Sequence, residues 1–274
     1  MNLDGTPQGV FGAELRFYRT QAGLSQTGLA ALVSISHDVI SKIETGQRPP
    51  AEDFPGRLDA VAELDTRGAL TRIWDHLRKG LRHQAYPGWF QPWADIEAQA
   101  ATLRSYEPLL VPGLLQTEDY ARAILAAEPG ADEGRLGDQV AARMDRQAVF
   151  ARADAPQMWC VLDEAVLHRR VGGAAVMRAQ LGHLAGLAER PRTTIQVIPA
   201  AAGAHAGLLG GFVIADLDGS PGMVYLETAA EGQVTDSPAV AAHVAFRFDS
   251  LRSEALPWAA SRDLIVKVAE EKWT

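Results

Sequence analysis

The sequence predicts a mainly α N-terminal bundle followed by an α+β domain whose small sheet is covered by helices. Three observations predict it. Apolar positions in residues 11–64 recur only at helical spacing. Runs with strand character are confined to the second half, at Met158–Leu162, Thr193–Ile198, Gly211–Leu217 and Met223–Glu227. Helical patterns over 173–189, 238–254 and 258–272 separate or follow those runs, giving a β-α-β-β-β-α order within a mostly helical chain. A length of 274 residues favours two domains, and an apolar content of 47% suffices for ordinary cores.

The first helix carries Phe11, Leu15, Tyr18 and Ala22 on one stripe over 11–22. Gly23 ends it by adopting φ > 0, and Ser25 caps the next helix, where Leu29, Ala30 and Val33 share a face. Ser34 forms a short polar turn with Ile35 as its apolar plug. Ser36 then caps a third helix, with Ile40 and Ile43 inward and His37, Asp38, Ser41 and Lys42 outward. Gly46 stops it, and Pro49-Pro50 prevents its continuation. Two short helices joined by such a turn form the helix-turn-helix unit, which lays its second helix in a DNA major groove.

Position then assigns roles. His37, Asp38, Ser41 and Lys42 reach base edges, with Lys42 suited to donate to guanine O6/N7 and Asp38 to accept from cytosine N4. Gln26, at the start of helix two, meets a phosphate together with the free N–H groups there; Ser25, Ser36 and Arg48 are further phosphate contacts. The competing reading is a helical hairpin that packs against a protein.

Charge is the main objection to DNA binding, since the chain carries net −8 with a pI of 5.4. The reading head is different. Arg16, Arg19, Lys42 and Arg48 slightly outnumber Glu14, Asp38 and Glu44, and a basic cluster (Arg72, Arg78, Lys79, Arg82, with His76 and His83) follows. A weakly positive head on an acidic body needs dimerisation and base contacts for useful affinity.

Beyond the motif, Leu58, Val61 and Leu64 mark a helix after Pro55-Gly56, and Thr66 or Thr71 opens another carrying Leu70, Ile73, Trp74 and Leu77. The aromatic stretch 85–93 breaks regular structure and reads as a hinge. Residues 96–103 look helical, and 106–120 form a compact turn leading into a helix capped by Thr117. After a loop at 129–134, a long helix over 136–152 turns Val140, Met144 and Ala148 to the core; 218–222 is a hairpin loop. The expected division is 1–65 for the helix-turn-helix domain, 66–95 for a helical and aromatic connector, and 96–274 for a regulatory and dimerisation domain.

The second half offers few groups for chemistry. Glu164 and His168 are an i,i+4 helical pair, and the single Cys160 lies in an apolar run as a buried thiol. The seven His show no H-x-x-x-H spacing, so neither a metal set nor a cofactor is expected, and the chain reads as a non-enzyme. His205, between Gly203 and Gly207, either touches a ligand or anchors a loop. Trp89 and Trp93, with Phe90, form either an aromatic pocket or a hydrophobic seam; Gln116 sits in a Pro-Gly-Leu-Leu-Gln turn that either fills a core or meets a partner. No run of about 18 apolar residues and no basic-then-apolar leader occurs, which points to the cytoplasm.

Residues 11–64 resemble the Xre-type, phage-repressor-like helix-turn-helix family, most diagnostically at Ser25-Gln26 and Ile40-Ser41-Lys42-Ile43-Glu44-x-Gly46. That resemblance implies an ion pair between Arg19 and Glu44. Asp38 stands where the family commonly has a small or amide residue, so operator sequence does not transfer. The rest is similar to the domain of unknown function of WhiJ-like actinobacterial regulators, through Val111-Pro112-Gly113-Leu114-Leu115-Gln116-Thr117, Arg146-Gln147, Ile195–Pro199 and Val224–Glu227. This second resemblance implies a small partner protein from a neighbouring gene, in an antitoxin-like arrangement. The function expected is a homodimeric, sequence-specific transcriptional regulator of double-stranded DNA controlled by that partner. The alternative is a small-molecule sensor with a pocket in its C-terminal domain.

Overall fold

Thr6 and Pro7 start the first helix four residues earlier than the apolar stripe predicts, because a threonine cap followed by proline is itself a helix opening. In the computed structural model, which describes residues 6–51, 53–217 and 222–274, and side chains outside 78–85, α1 spans Pro7–Gln21. The chain divides into two compact units, Met1–Gln84 and Ala85–Thr274. The side chains of Arg78, Lys79, Arg82 and His83 of the basic cluster, and residues 218–221 of the hairpin loop, lie outside what the structure describes.

The N-terminal unit continues with α2 (Gln26–Leu32), α3 (His37–Glu44), α4 (Phe54–Asp59) and most of α5 (Ala69–Ala85). Gly23 and Gly46 take φ of 68° and 70°, as helix-ending glycines do. A Cβ on Gly46 would lie 2.9 Å from Gly9 Cα, so α1 closes onto the end of α3 only because that side chain is missing. Ser25 Oγ accepts from Gly28 N–H at 3.0 Å. Ser36 departs from expectation: its backbone has N-cap geometry, but its hydroxyl makes no capping bond, and Val39 N–H bonds to the Ser36 carbonyl instead.

Phe11, Leu15, Leu29, Ile40, Leu58 and Leu70 are buried together, and Trp74 meets Phe11 edge-on at 5.2 Å. Leu70 and Trp74 therefore place most of α5 in this bundle, where the sequence suggests a connector. The helix expected through Leu58, Val61 and Leu64 breaks into α4 and a 3-10 turn at Ala62–Leu64. Asp59 ends α4 and accepts from Leu70 N–H, Thr71 N–H and the Thr71 and Thr66 hydroxyls, at 3.2, 2.9, 2.6 and 2.5 Å. It thus caps α5 from a neighbouring helix. Burial opposes its charge, but these donors outweigh it and hold the carboxyl below its ordinary pKa.

The C-terminal unit is a six-stranded mixed sheet in the order β3-β2-β1-β4-β5-β6. Its elements in chain order are α6 (Gln91–Gln99), β1 (Thr102–Glu107), α7 (Glu118–Ala126), α8 (Glu133–Arg146), β2 (Gln157–Asp163), α9 (Glu164–His168) and α10 (Ala174–Ala188). Then come β3 (Thr193–Ile198), β4 (Phe212–Asp216), β5 (Met223–Leu226), β6 (Gln233–Thr235), α11 (Pro238–Glu254) and α12 (Trp258–Glu271). β1, β2 and β3 run parallel; β4, β5 and β6 add on antiparallel.

Two strands escape the sequence reading. β1 stands where a helix to Leu103 and then a turn are expected, and β6 is a three-residue edge. Ala148 also differs: α8 ends at Arg146 and passes into a 3-10 turn, which leaves Ala148 exposed. Both sheet faces are covered. Leu103, Cys160, Ile195 and Val197 meet Leu181 and Leu184 of α10 and Ile265 of α12 in one core. Tyr106, Val161, Phe212 and Ile214 meet Val244, Phe248 and Leu251 of α11 in the other. Among the described residues no helix is long and apolar enough to cross a membrane.

Candidate nucleic-acid interface and a buried polar cavity

In the N-terminal unit, α3 separates its two faces by chemistry. Ile40 and Ile43 are buried, His37, Asp38 and Lys42 are exposed, and Ser41 is half-buried. Glu44 anchors the helix from below. Arg19 Nε and Nη2 bind Glu44 Oε1 and Oε2 at 2.5 and 2.9 Å, and Arg19 Nη1 donates to the Leu24 carbonyl at 2.7 Å. The Glu44 bond and charge outweigh burial and hold the Arg19 pKa above its ordinary value. Gln26 joins the same network, with Nε2 donating to Glu44 Oε2 at 2.8 Å. One hydrogen of the amide assigned to phosphate is therefore engaged internally.

Lys42 Nζ pairs with Asp38 across one turn at 2.8 Å, with both side chains about half exposed or more. A pair so exposed contributes about 0–1 kcal/mol, so DNA can displace it at small cost. Ser25, Ser36 and Arg48 are exposed near the ends of α2 and α3. An N-terminus of α2, an exposed polar face on α3 and a rigid anchor between them suit a major groove.

The C-terminal unit holds a partly open cavity of about 190 Å³ against the α6 face of its sheet. Strand alternation points Leu103, Ser105 and Glu107 of β1 into it, while Tyr106 faces the other core. Ser105 is 1% exposed, and its Oγ has no hydrogen-bond partner. One residue beyond the paired row Tyr106–Phe212–Leu226 stand Glu107, Gly211 and Glu227. A Cβ on Gly211 would lie 2.8 Å from Glu107 Oε2, so the glycine leaves room for that carboxyl. Burial, then the charge of Glu227, pushes the Glu107 pKa well up. Burial likewise raises Glu227, against the pull of Arg143 and Arg146.

Two arginines of α8 border the same space. Arg146 grips Glu97 of α6 through two bonds at 2.7 and 2.6 Å and lies 4.6 Å from the Phe90 ring centre. Arg143 donates to Gln116 Oε1 at 3.1 Å and, among the described residues, has no ion pair. Burial, then the neighbouring Arg146 charge, lowers its pKa to about 10.

Of the residues singled out in this half, Trp93 and Gln116 line the cavity and Trp89 and His205 do not. Trp93 is 1% exposed and stacks on Tyr225 at 5.2 Å; Trp89 meets Phe90 edge-on at 5.8 Å. Gln116 donates to the Val111 carbonyl at 2.7 Å while accepting from Arg143, so its amide positions that guanidinium. His205 is a loop anchor. Gly207 N–H donates to its Nδ1 at 3.2 Å, which assigns the proton to Nε2, 3.1 Å from Asp163 Oδ2. Glu164 and His168 form the expected one-turn pair at 3.3 Å, and Cys160 is buried, its thiol pKa raised by burial.

Ser105, Glu107 and Arg143 are given no role by the sequence, and Glu227 enters only as the end of a strand run and of a family match. The available signal was the alternation Leu103-x-Ser105-x-Glu107, which points polar groups inward from a central strand.

The architecture defines a class: a helix-turn-helix domain joined to an α+β domain that carries a polar cavity. Residues 10–72 match the model of a helix-turn-helix domain, and residues 90–267 match that of a domain of unknown function, DUF5753. The chain belongs to the DUF5753 family. No curated protein and no solved structure matches it.

Proposed function

We propose that this chain is a cytoplasmic, homodimeric transcriptional regulator that binds double-stranded DNA sequence-specifically. The observation that carries the reading is α3, with its apolar face buried, its last glutamate locked to Arg19 and its polar face open. His37, Asp38, Ser41 and Lys42 meet base edges, while Ser25, Gln26, Ser36 and Arg48 hold phosphates. For Gln26 this means contacting the backbone while still donating to Glu44, which couples phosphate binding to the posture of α3. A Xre-type reading head this small gains affinity by engaging two half-sites, about 34 Å apart. Leu209 and Phe246, 85% and 74% exposed in the C-terminal unit, are the apolar surface assigned to the second copy.

Control has two forms. The resemblance to WhiJ-like actinobacterial regulators implies a small, antitoxin-like partner protein. The partly open cavity, with an unpartnered hydroxyl and charges lacking ion pairs, favours a small ligand instead. Either effector regulates only by binding DNA-competent and incompetent forms with different affinity. Selection of bound sequences from a random duplex pool, at two salt concentrations, tests the DNA reading. An enriched inverted repeat supports it; salt-sensitive binding without enrichment refutes sequence specificity.

A further inference from the structure

Charges drawn partly out of water usually meet each other, as Arg146 and Glu97 do at the edge of the cavity. Others bordering the same space do not: the half-buried Glu107 and Arg143, and the exposed Glu227 and Glu128 at its rim. Glu107, Glu227 and Arg143 form no ion pair among the described residues, although they share one small chamber. Ser105, wholly buried, turns an unpartnered Oγ into it. The fold also maintains these groups actively: Gly211 leaves room for the Glu107 carboxyl, and Gln116 steadies Arg143. Unmet charges of both signs, held this way, ask for a ligand bearing both.

We propose that the cavity binds a small zwitterion of the amino-acid class, resting on the ligand-controlled reading above. Its ammonium group meets Glu107 and Glu227, and its carboxylate meets Arg143, the cation without an acidic partner. Ser105 Oγ donates to or accepts from the polar end. Trp93, Leu103 and Met158 in the wall offer apolar surface for a hydrocarbon side chain. Volume sets the size. A cavity near 150 Å³ holds a benzene molecule, so about 190 Å³ suits a ligand of roughly eight non-hydrogen atoms. Burial of Glu107 raises the cost of its charge, which a bound ammonium group would remove.

The test uses the full chain, calorimetry and thermal melts. The probes are the free amino acids, the matched amines lacking the carboxylate, and the matched acids lacking the ammonium group. The expected result is saturable binding of at least one amino acid, at least tenfold tighter than its matched amine and acid. Glu107→Gln and Arg143→Gln should each weaken that binding at least tenfold while operator binding shows the variants folded. Wild-type affinity in both variants overturns the assignment. Binding of an amine or acid as tight as its parent amino acid overturns the zwitterion but leaves ligand control standing. No binding by any probe also overturns the zwitterion; if a small-molecule extract then leaves operator affinity unchanged, ligand control falls with it.

Discussion

Both units of this protein hold charge at least partly out of water, and they resolve it in opposite ways. In the N-terminal unit Arg19 and Glu44 meet in a two-pronged pair, and Gln26 and the Leu24 carbonyl take the remaining contacts. In the C-terminal unit Glu107, Glu227 and Arg143 border one cavity without pairing. Arg146 and Glu97, closed on each other beside that cavity, show that the second unit pairs charges where pairing serves structure. Closed charges fix the posture of an element, and open ones leave free energy for binding.

The largest effect should come from breaking a closed pair. Arg19→Ala leaves Glu44 buried with only Gln26 as a side-chain donor, and should cost about 3 kcal/mol of N-terminal stability. A melt of that transition indistinguishable from wild type would remove the anchor from the account. Next comes crowding of the open site. Gly211→Ala drives a methyl toward Glu107 Oε2 and should cost about 1–3 kcal/mol in the C-terminal unit, read by denaturant unfolding.

A subtler contrast is pH. Burial, then the charge of Glu227, holds Glu107 protonated above its ordinary value of 4.5. The folded unit therefore binds more protons than the unfolded chain above that value. Its contribution is full below the unfolded pKa and is lost as pH rises through the folded pKa. C-terminal stability should thus decline more with rising pH in wild type than in Glu107→Gln; parallel curves would sink the idea. The smallest effect concerns the exposed Asp38–Lys42 pair. Asp38→Asn should leave stability within about 1 kcal/mol and tighten binding to random DNA modestly, as titration at low salt would show.

Sequence legibility follows the same division. The Arg19–Glu44 pair came from family resemblance, and the turn at Gly23 and the cap at Ser25 from local backbone chemistry that few residues satisfy. Ser36 shows the limit, since a cap-forming residue in cap geometry still leaves its hydroxyl unused. β1 was hidden because lining a polar cavity puts Ser105 and Glu107 on an interior face, which erases the apolar alternation of a strand. Arg143 is equally silent: on a helix surface it looks solvated, and only the fold brings it half-buried to the cavity. Charge that serves a ligand breaks the patterns by which a core is recognised.

The most direct test of the central claim is the affinity of Lys42→Ala for the selected operator and for a scrambled duplex. A loss of about 1–3 kcal/mol on the operator, with random binding nearly unchanged, is the predicted result for a side chain that reads a base. Equal losses on both duplexes would make Lys42 a phosphate contact and contradict the assignment of α3 as the reading helix.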